Sequence, residues 1–386
     1  MMASTILFRT TPRIILGNGS IEQIGTEVKN LKGKKSFIVT DPGIVQSGIL
    51  ERVIDVLKSA KISVDVFDKV EPDPRIEIVD QALGPLREGK YGAVIGLGGG
   101  SSLDIAKLVA MMAKNPGKIS DYFGIDLVPH QGLPLICVPT TAGTGSEVTP
   151  IAILSDEAEH LKKGVVSGHL FPRVALLDPL LTVGLPPAVT ASTGMDALIH
   201  AIEAYTSINA NDLTDHFAFK AIQLIYGNIR TAYARGEDVN ARFNMLEGSL
   251  IAGLAFANAG VTAVHAFAYP LGGEFHVPHG LANAVMLPHV LRFNMLGNLA
   301  RFAAIIKAFE LPVENLSQRQ AAEAGISAIE ELMRDINIPL HLRDMNIDQG
   351  AIPRMAEGVM KVTRLLANNP RKITLKDAEQ IYQKAW

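Results

Sequence analysis

The order of hydrophobic and polar positions changes character part-way along the chain. Up to about residue 180, short β-branched runs alternate with longer amphipathic ones, each punctuated by Gly, Pro or Asp. Residues 36–40, 63–67, 93–97 and 135–138 read as strands, and 48–60, 75–89 and 102–114 read as helices between them. Strand and helix in turn predict parallel pairing, with helices on both faces of the sheet. Ligands of such sheets bind beyond the carboxyl ends of the strands. After Asp178-Pro179 and Leu185-Pro186-Pro187, helical periodicity takes over, clearest over 189–206, 213–234, 240–258, 282–294, 318–335 and 376–384, with no convincing strand. The expected organisation is an α/β domain over 1–180 and an all-helical domain over 181–386, with a cleft between them. A length of 386 residues, beyond the usual size of one core, agrees with two domains.

Composition narrows the function classes. A chain with 48% hydrophobic and 19% charged residues buries a large core, and a net charge of -3 gives no electrostatic case for nucleic acid or an anionic membrane. The single cysteine, Cys137, excludes an intrachain disulfide and a Cys-rich metal site, and its apolar run 133–138 marks it as buried. The first residues show neither a basic leader nor an apolar stretch of signal-peptide length, so a cytoplasmic location is expected. Residues 249–273 lack Asp, Glu, Lys and Arg and are long enough to span a bilayer, but Asn258, His265, Pro270 and several glycines favour core helices packed through small residues.

Four residues of the second half read together as a cage for one divalent ion: Asp196, His200, His265 and His279. Asp196 and His200 stand four apart, on one face of a helix. His265 precedes an expected break at Pro270, Gly272 and Gly273, and His279 follows it. One carboxylate with three imidazoles suits Fe²⁺ or Zn²⁺ better than Mg²⁺ or Ca²⁺, which take mostly oxygen ligands. The plainer reading of Asp196 and His200 is a hydrogen-bonded pair. Against it, His200 and His265 lie in very apolar stretches, where an unpartnered imidazole costs free energy.

The first half carries two loops suited to a diphosphate. Strand 93–97 runs into Gly98, Gly99 and Gly100, then Ser101 and Ser102 open a helix; bare glycines admit a phosphate closely, and free amides at the helix start donate to it. The sequence is neither Gly-x-Gly-x-x-Gly nor a Walker loop, and a plain tight turn is the alternative. A second loop, 139–147, is dense in hydroxyls and small residues. Asp41, just after a strand, is placed to accept from an adenosine ribose and to repel a 2′-phosphate, favouring NAD over NADP; its plain alternative is a helix N-cap.

These segments resemble the iron-dependent (group III) alcohol dehydrogenases, and the likeness runs nearly end to end: Val39-Thr40-Asp41, Gly98–Asp104, Thr140–Glu147, Gly194–Tyr205 and Val264–Gly280. The resemblance implies an α/β N-terminal dinucleotide-binding domain and an all-α C-terminal metal-binding domain, a dehydroquinate synthase-like architecture. It puts Asp196, His200, His265 and His279 at the metal-ligand positions. It lays Gly98, Gly99, Gly100, Ser101, Thr140, Thr141 and Thr144 along NAD, with Lys162 near the nicotinamide ribose. It further implies hydride transfer between NAD and a small primary alcohol or aldehyde, Fe²⁺ with Zn²⁺ as an alternative, and a homodimer or higher homo-oligomer. Residues 6–8 and 14–16 are expected to form a strand across that interface. Where many relatives place a proton-relaying His, this chain has Tyr269, and His276 is a further histidine able to take that part. Asp73 stands where relatives often have Asn, an extra carboxylate expected to weaken dinucleotide binding slightly. Phe256, Phe267 and Phe275 suggest an apolar substrate pocket or, equally, plain core. The rival readings are a glycerol-type polyol dehydrogenase with zinc and, from another class, a non-enzymatic metal- or nucleotide-binding protein. Relatives handling anionic substrates need several Lys or Arg beside the metal, and the segments around Asp196, His200 and His265 offer none.

Overall fold

Runs that are apolar at successive positions, rather than at alternate ones, build the middle of the main sheet, because helices cover both of its faces. The computed structural model describes residues 5–157 and 161–386. Thr10–Leu185 forms one unit, and Pro186–Trp386 forms another together with the residues up to Arg9. The first unit contains strands β1 (Ile14–Leu16), β2 (Lys35–Val39), β3 (Ser63–Phe67), β4 (Ala93–Gly98), β5 (Gly124–Ile125), β6 (Leu135–Pro139), β7 (Ile151–Asp156), β8 (Leu161–Val166) and β9 (Val174–Leu177). Its helices are α1 (Ile24–Asn30), α2 (Pro42–Gln46), α3 (Ile49–Ser59), α4 (Ile76–Glu88) and α5 (Gly100–Met112).

The main sheet has the order β1-β9-β6-β4-β2-β3, parallel throughout. Alternate residues of each strand face opposite cores. Phe37, Val39, Val94 and Cys137 join Ile78, Val79 and Leu83 of α4 and Leu103 of α5 on one side. Ile38, Ile95, Leu97, Ile136 and Val138 join Ile24 and Val28 of α1 and Val53 and Leu57 of α3 on the other. Register then brings the carboxyl ends together: the Thr40 hydroxyl donates to the Leu97 carbonyl at 2.7 Å, and the Thr140 amide donates to the Gly98 carbonyl at 3.0 Å.

One expectation fails here. Pairing is not uniformly parallel, because β7 and β8 pair antiparallel in a second sheet of order β5-β8-β7. The run 14–16 forms the edge strand β1, paired on one side with β9 of the same chain. Residues 6–8 take no strand at all. They pack on the helical unit, not on the α/β unit that follows them in sequence: Phe8 stacks on Phe217 at 5.6 Å, and Arg9 and Asn258 exchange two hydrogen bonds.

The second unit is helical: α6 (Pro187–Thr206), α7 (Asp212–Ala234), α8 (Val239–Ala259), α9 (Ala263–Phe275), α10 (His279–Asn294), α11 (Leu299–Ala308), α12 (Gln318–Asp335), α13 (Ile352–Lys361), α14 (Thr363–Leu366) and α15 (Leu375–Ala385). The expected break at Pro270, Gly272 and Gly273 is absent, since α9 runs through all three and ends at His276, whose backbone is left-handed at φ 54°. Proline removes only one amide donor, and the apolar face of the helix, Val264, Phe267, Ala268 and Leu271, is fully packed. The real break is His276-Val277-Pro278. No single described helix is long and apolar enough to cross a membrane; the uncharged stretch is divided between α8 and α9, which meet at 104°.

Candidate active site

Three helices of the second unit carry the predicted cage. Asp196 and His200 lie one turn apart on α6, His265 lies in the first turn of α9, and His279 is the first residue of α10. Close packing delivers His279: a Cβ added to Gly280 would fall 2.3 Å from the Ser192 carbonyl oxygen, so only glycine lets the start of α10 approach α6 this closely. One ligand atom from each of Asp196, His265 and His279 falls within 4.8 Å of the others. Both His265 Nε2 and His279 Nε2 are 3.7 Å from Asp196 Oδ1. His200 joins through its Nε2, 3.0 Å from His265 Nε2. Asp196, His200 and His265 are buried, whereas the His279 side chain is 34% exposed.

Electrostatics act on each donor differently. Burial penalises the Asp196 carboxylate, but His200, His279, His265 and the Asn283 amide outweigh it and hold its pKa below the ordinary value. Burial pushes His200 down to about 4, with His265 and His279 adding to the effect against Asp196, so the imidazole is neutral near pH 7. For His265, burial is outweighed by Glu203, which raises its pKa. Glu203 Oε2 is 2.5 Å from His265 Nδ1, and Glu203 Oε1 accepts from the Thr262 hydroxyl at 2.6 Å and the Val264 amide at 2.7 Å. A carboxylate on Nδ1 leaves Nε2 to face the cage. Asn283, one turn beyond His279, donates from Nδ2 to Asp196 Oδ1 at 2.9 Å. Donors of this kind, three imidazoles and one carboxylate, mostly buried, fit a transition-metal ion.

Sequence reading assigned no role to Glu203 or Asn283. Glu203 is the lone acidic residue between Asp196 and the end of α6, which is the signal that was available; Asn283 carried none. Of the three phenylalanines, only Phe256 meets the cage, stacking on His200 at 4.3 Å. Phe267 is core, tilted against Tyr382 at 4.9 Å, and Phe275 ends α9 beneath the Arg354 guanidinium. Tyr269 follows His265 by one turn of α9, half-buried, whereas His276 is exposed. A cation absent from the neighbouring sequence does come near: Arg364 of α14 acts electrostatically on His265.

In the α/β unit, Gly98 (φ 144°) ends β4, and no side chain caps the following α5. A Cβ on Gly98 would meet Ser102 Oγ at 2.7 Å and Asp41 Oδ2 at 2.8 Å, and one on Gly100 would meet Thr144 Cγ2 at 2.5 Å. Thr141 flanks Gly99 and Thr144 packs on Gly100, so the loop after β6 closes on the start of α5, whose uncapped amides suit an anion. Asp41 takes its plain role as well, since Oδ1 accepts from the Ile44 amide at 3.1 Å as the N-cap of α2. Its Oδ2 accepts from the Ser102 hydroxyl at 2.9 Å, which ties it to the glycine turn. Lys162 and Asp73, singled out separately, form an ion pair at 2.6 Å, so the extra carboxylate of Asp73 is offset by a cation. A buried strut escaped the sequence reading: the Lys107 ammonium donates to Ser146 Oγ (2.7 Å), Thr149 Oγ1 (3.1 Å) and the Ile151 carbonyl (2.7 Å). Ser146 in turn donates to Asp104 at 2.6 Å, locking the loop after β6 to α5.

The sequence pattern described as iron-containing alcohol dehydrogenase matches residues 11–179, and that of the C-terminal part of the Fe-containing alcohol dehydrogenase family matches 190–386. The chain belongs to the iron-containing alcohol dehydrogenase family. It is similar to long-chain-alcohol dehydrogenase 1 of Geobacillus thermodenitrificans, 41% identical over 100% of this chain and 98% of that one. Its fold matches the crystal structure of a 1,3-propanediol oxidoreductase with a TM-score of 0.97 at 39% identity, covering 99% of this chain and 100% of that one. It also matches sulfoacetaldehyde reductase from Bifidobacterium kashiwanohense in complex with NAD⁺, with a TM-score of 0.90 at 31% identity and 99% of each chain covered. The protein is thus an NAD-linked alcohol oxidoreductase of this family, with an α/β N-terminal part and a helical C-terminal part. The readings as a glycerol-type dehydrogenase and as a non-enzymatic binding protein are not favoured.

Proposed function

We propose that the protein interconverts small primary alcohols and their aldehydes, with Thr10–Leu185 as its dinucleotide-binding domain and the helical unit as its metal and substrate domain. The observation that carries the reading is the convergence of Asp196, His265 and His279 within 4.8 Å, with His200 against His265. These four residues would hold Fe²⁺. When bound, the ion supplies Lewis acidity toward the alcohol or carbonyl oxygen and NAD supplies the hydride acceptor.

The chain's own residues prepare that chemistry. Asp196 offsets one of the ion's charges, and Glu203 orients His265. Gly98, Gly99, Gly100, Ser101, Thr140, Thr141 and Thr144 cradle the dinucleotide, Asp41 selects for an unphosphorylated ribose, and Lys162 lies by the nicotinamide ribose with its charge shared by Asp73. Proton movement falls to Tyr269, which shares the His265 face of α9, in preference to the exposed His276. Phe256, stacked on His200, gives the site an apolar wall and favours uncharged alcohols.

Anaerobic assay of NADH formation with a series of primary alcohols, with and without added Fe²⁺ or Zn²⁺, tests the proposal. Metal-dependent NADH formation is expected, and turnover that survives complete chelation would refute it.

A further inference from the structure

We infer that Asn283 is a positioning residue that holds the empty cage in ligand-ready form and yields one of its hydrogen bonds to the entering ion. The inference rests on the metal site proposed above. Asn283 is completely buried. Its Nδ2 lies 2.9 Å from Asp196 Oδ1 and 3.1 Å from His279 Nε2. A carboxylate only accepts, so the atom facing Asp196 is the amide nitrogen, and its second hydrogen then points at His279. His279 must accept it with a bare Nε2, which leaves the ring proton on Nδ1. That is the tautomer in which Nε2 can ligate a metal.

The other end of the amide does not account for an asparagine at this position. Asn283 Oδ1 is buried without a hydrogen-bond partner among the described residues. An unpaired buried carbonyl is destabilising, and a side chain optimised for stability alone would not keep one. The two bonds also differ in fate. Asp196 Oδ1 has a second lone pair, so its bond from Asn283 is compatible with a metal, whereas Nε2 of His279 has only one. The Asn283 hydrogen on His279 is therefore a placeholder that an ion displaces. His279 is the one partly exposed member of the cage. Asn283 fixes its ring before the ion arrives.

The test compares wild type with Asn283→Leu, which keeps the branched shape and removes both donors. Zn²⁺ affinity is read by anaerobic chelator competition, and the His279 tautomer of the metal-free protein by ¹⁵N-histidine NMR. Expected are a Kd weakened by about 10–100-fold in the variant and, in wild type, a neutral His279 protonated on Nδ1 whose tautomers become mixed in the variant. Equal Kd values, or a wild-type His279 protonated on Nε2, overturn the inference. Should Asn283→Leu not fold, Asn283→Ser decides: one hydroxyl hydrogen cannot serve both ligands, so weaker Zn²⁺ binding is expected and unchanged binding overturns it. Failure of wild type itself to bind metal would strike the proposed metal site, while the tautomer measurement would still judge Asn283.

Discussion

Glu203 and His265 are joined carboxylate to imidazole, Oε2 to Nδ1, at 2.5 Å, with both residues buried. The other Glu203 oxygen is held by Thr262 and by the amide of Val264, so the first turn of α9 and the last turns of α6 are fastened at the residue that turns His265 inward. The carboxylate makes the ring more basic and fixes its orientation.

Glu203→Gln keeps the shape and an acceptor oxygen but removes the charge. Metal affinity, measured by chelator competition, should fall by about 10–100-fold while the protein remains folded. Affinity equal to wild type would leave Glu203 a purely structural role.

Asp41 caps α2 and, in the proposed function, also selects the cofactor, and a single substitution probes both. Asp41→Gly should raise the use of NADP relative to NAD, because the carboxylate that repels a 2′-phosphate is gone. Loss of the α2 cap to Gly costs only a few tenths of a kcal/mol, and loss of the Ser102 bond should add about 1 kcal/mol. A lower melting temperature with an unchanged cofactor ratio would reduce Asp41 to the cap alone.

Glu147, in the loop after β6, predicts a pH dependence of stability. Burial pushes its carboxyl from an ordinary 4.5 up to about 7, and Oε1 has no partner among the described residues. Through this interval the unfolded chain releases a proton that the folded chain retains, so stability falls as pH rises and levels off above about pH 7. The loss from this one group is roughly 3 kcal/mol. Glu147→Gln stays neutral and should remove this contribution, so its urea midpoint should gain on wild type between pH 5 and pH 8. Parallel midpoints across that range would show that the carboxyl titrates normally.

Much of this architecture was legible in the sequence because it is written in local pattern. The apolar runs of β2, β4 and β6 and the periodic faces of α3, α7 and α12 need no tertiary information to be seen. Asp196 and His200 declare a shared helical face by spacing alone. β1 was read as a strand from its apolar run, but β9 was invisible because four residues cannot show a period, and β8 because Lys162, Lys163 and Gly164 interrupt any apolar pattern. Pro270 suggested a break that packing overrode. Glu203, Asn283 and the Lys107 strut lay beyond reach for another reason: each acts through a partner 39–87 positions away or on another helix, and only the folded chain sets those pairs.

The most direct test of the account is metal content. Wild type, His265→Ala and His279→Ala, each equilibrated anaerobically with Fe²⁺ and desalted, should be analysed for iron per chain. About one iron per chain in wild type and none in either variant is the predicted result. Full occupancy in both variants would contradict the account, since it would place the ion elsewhere.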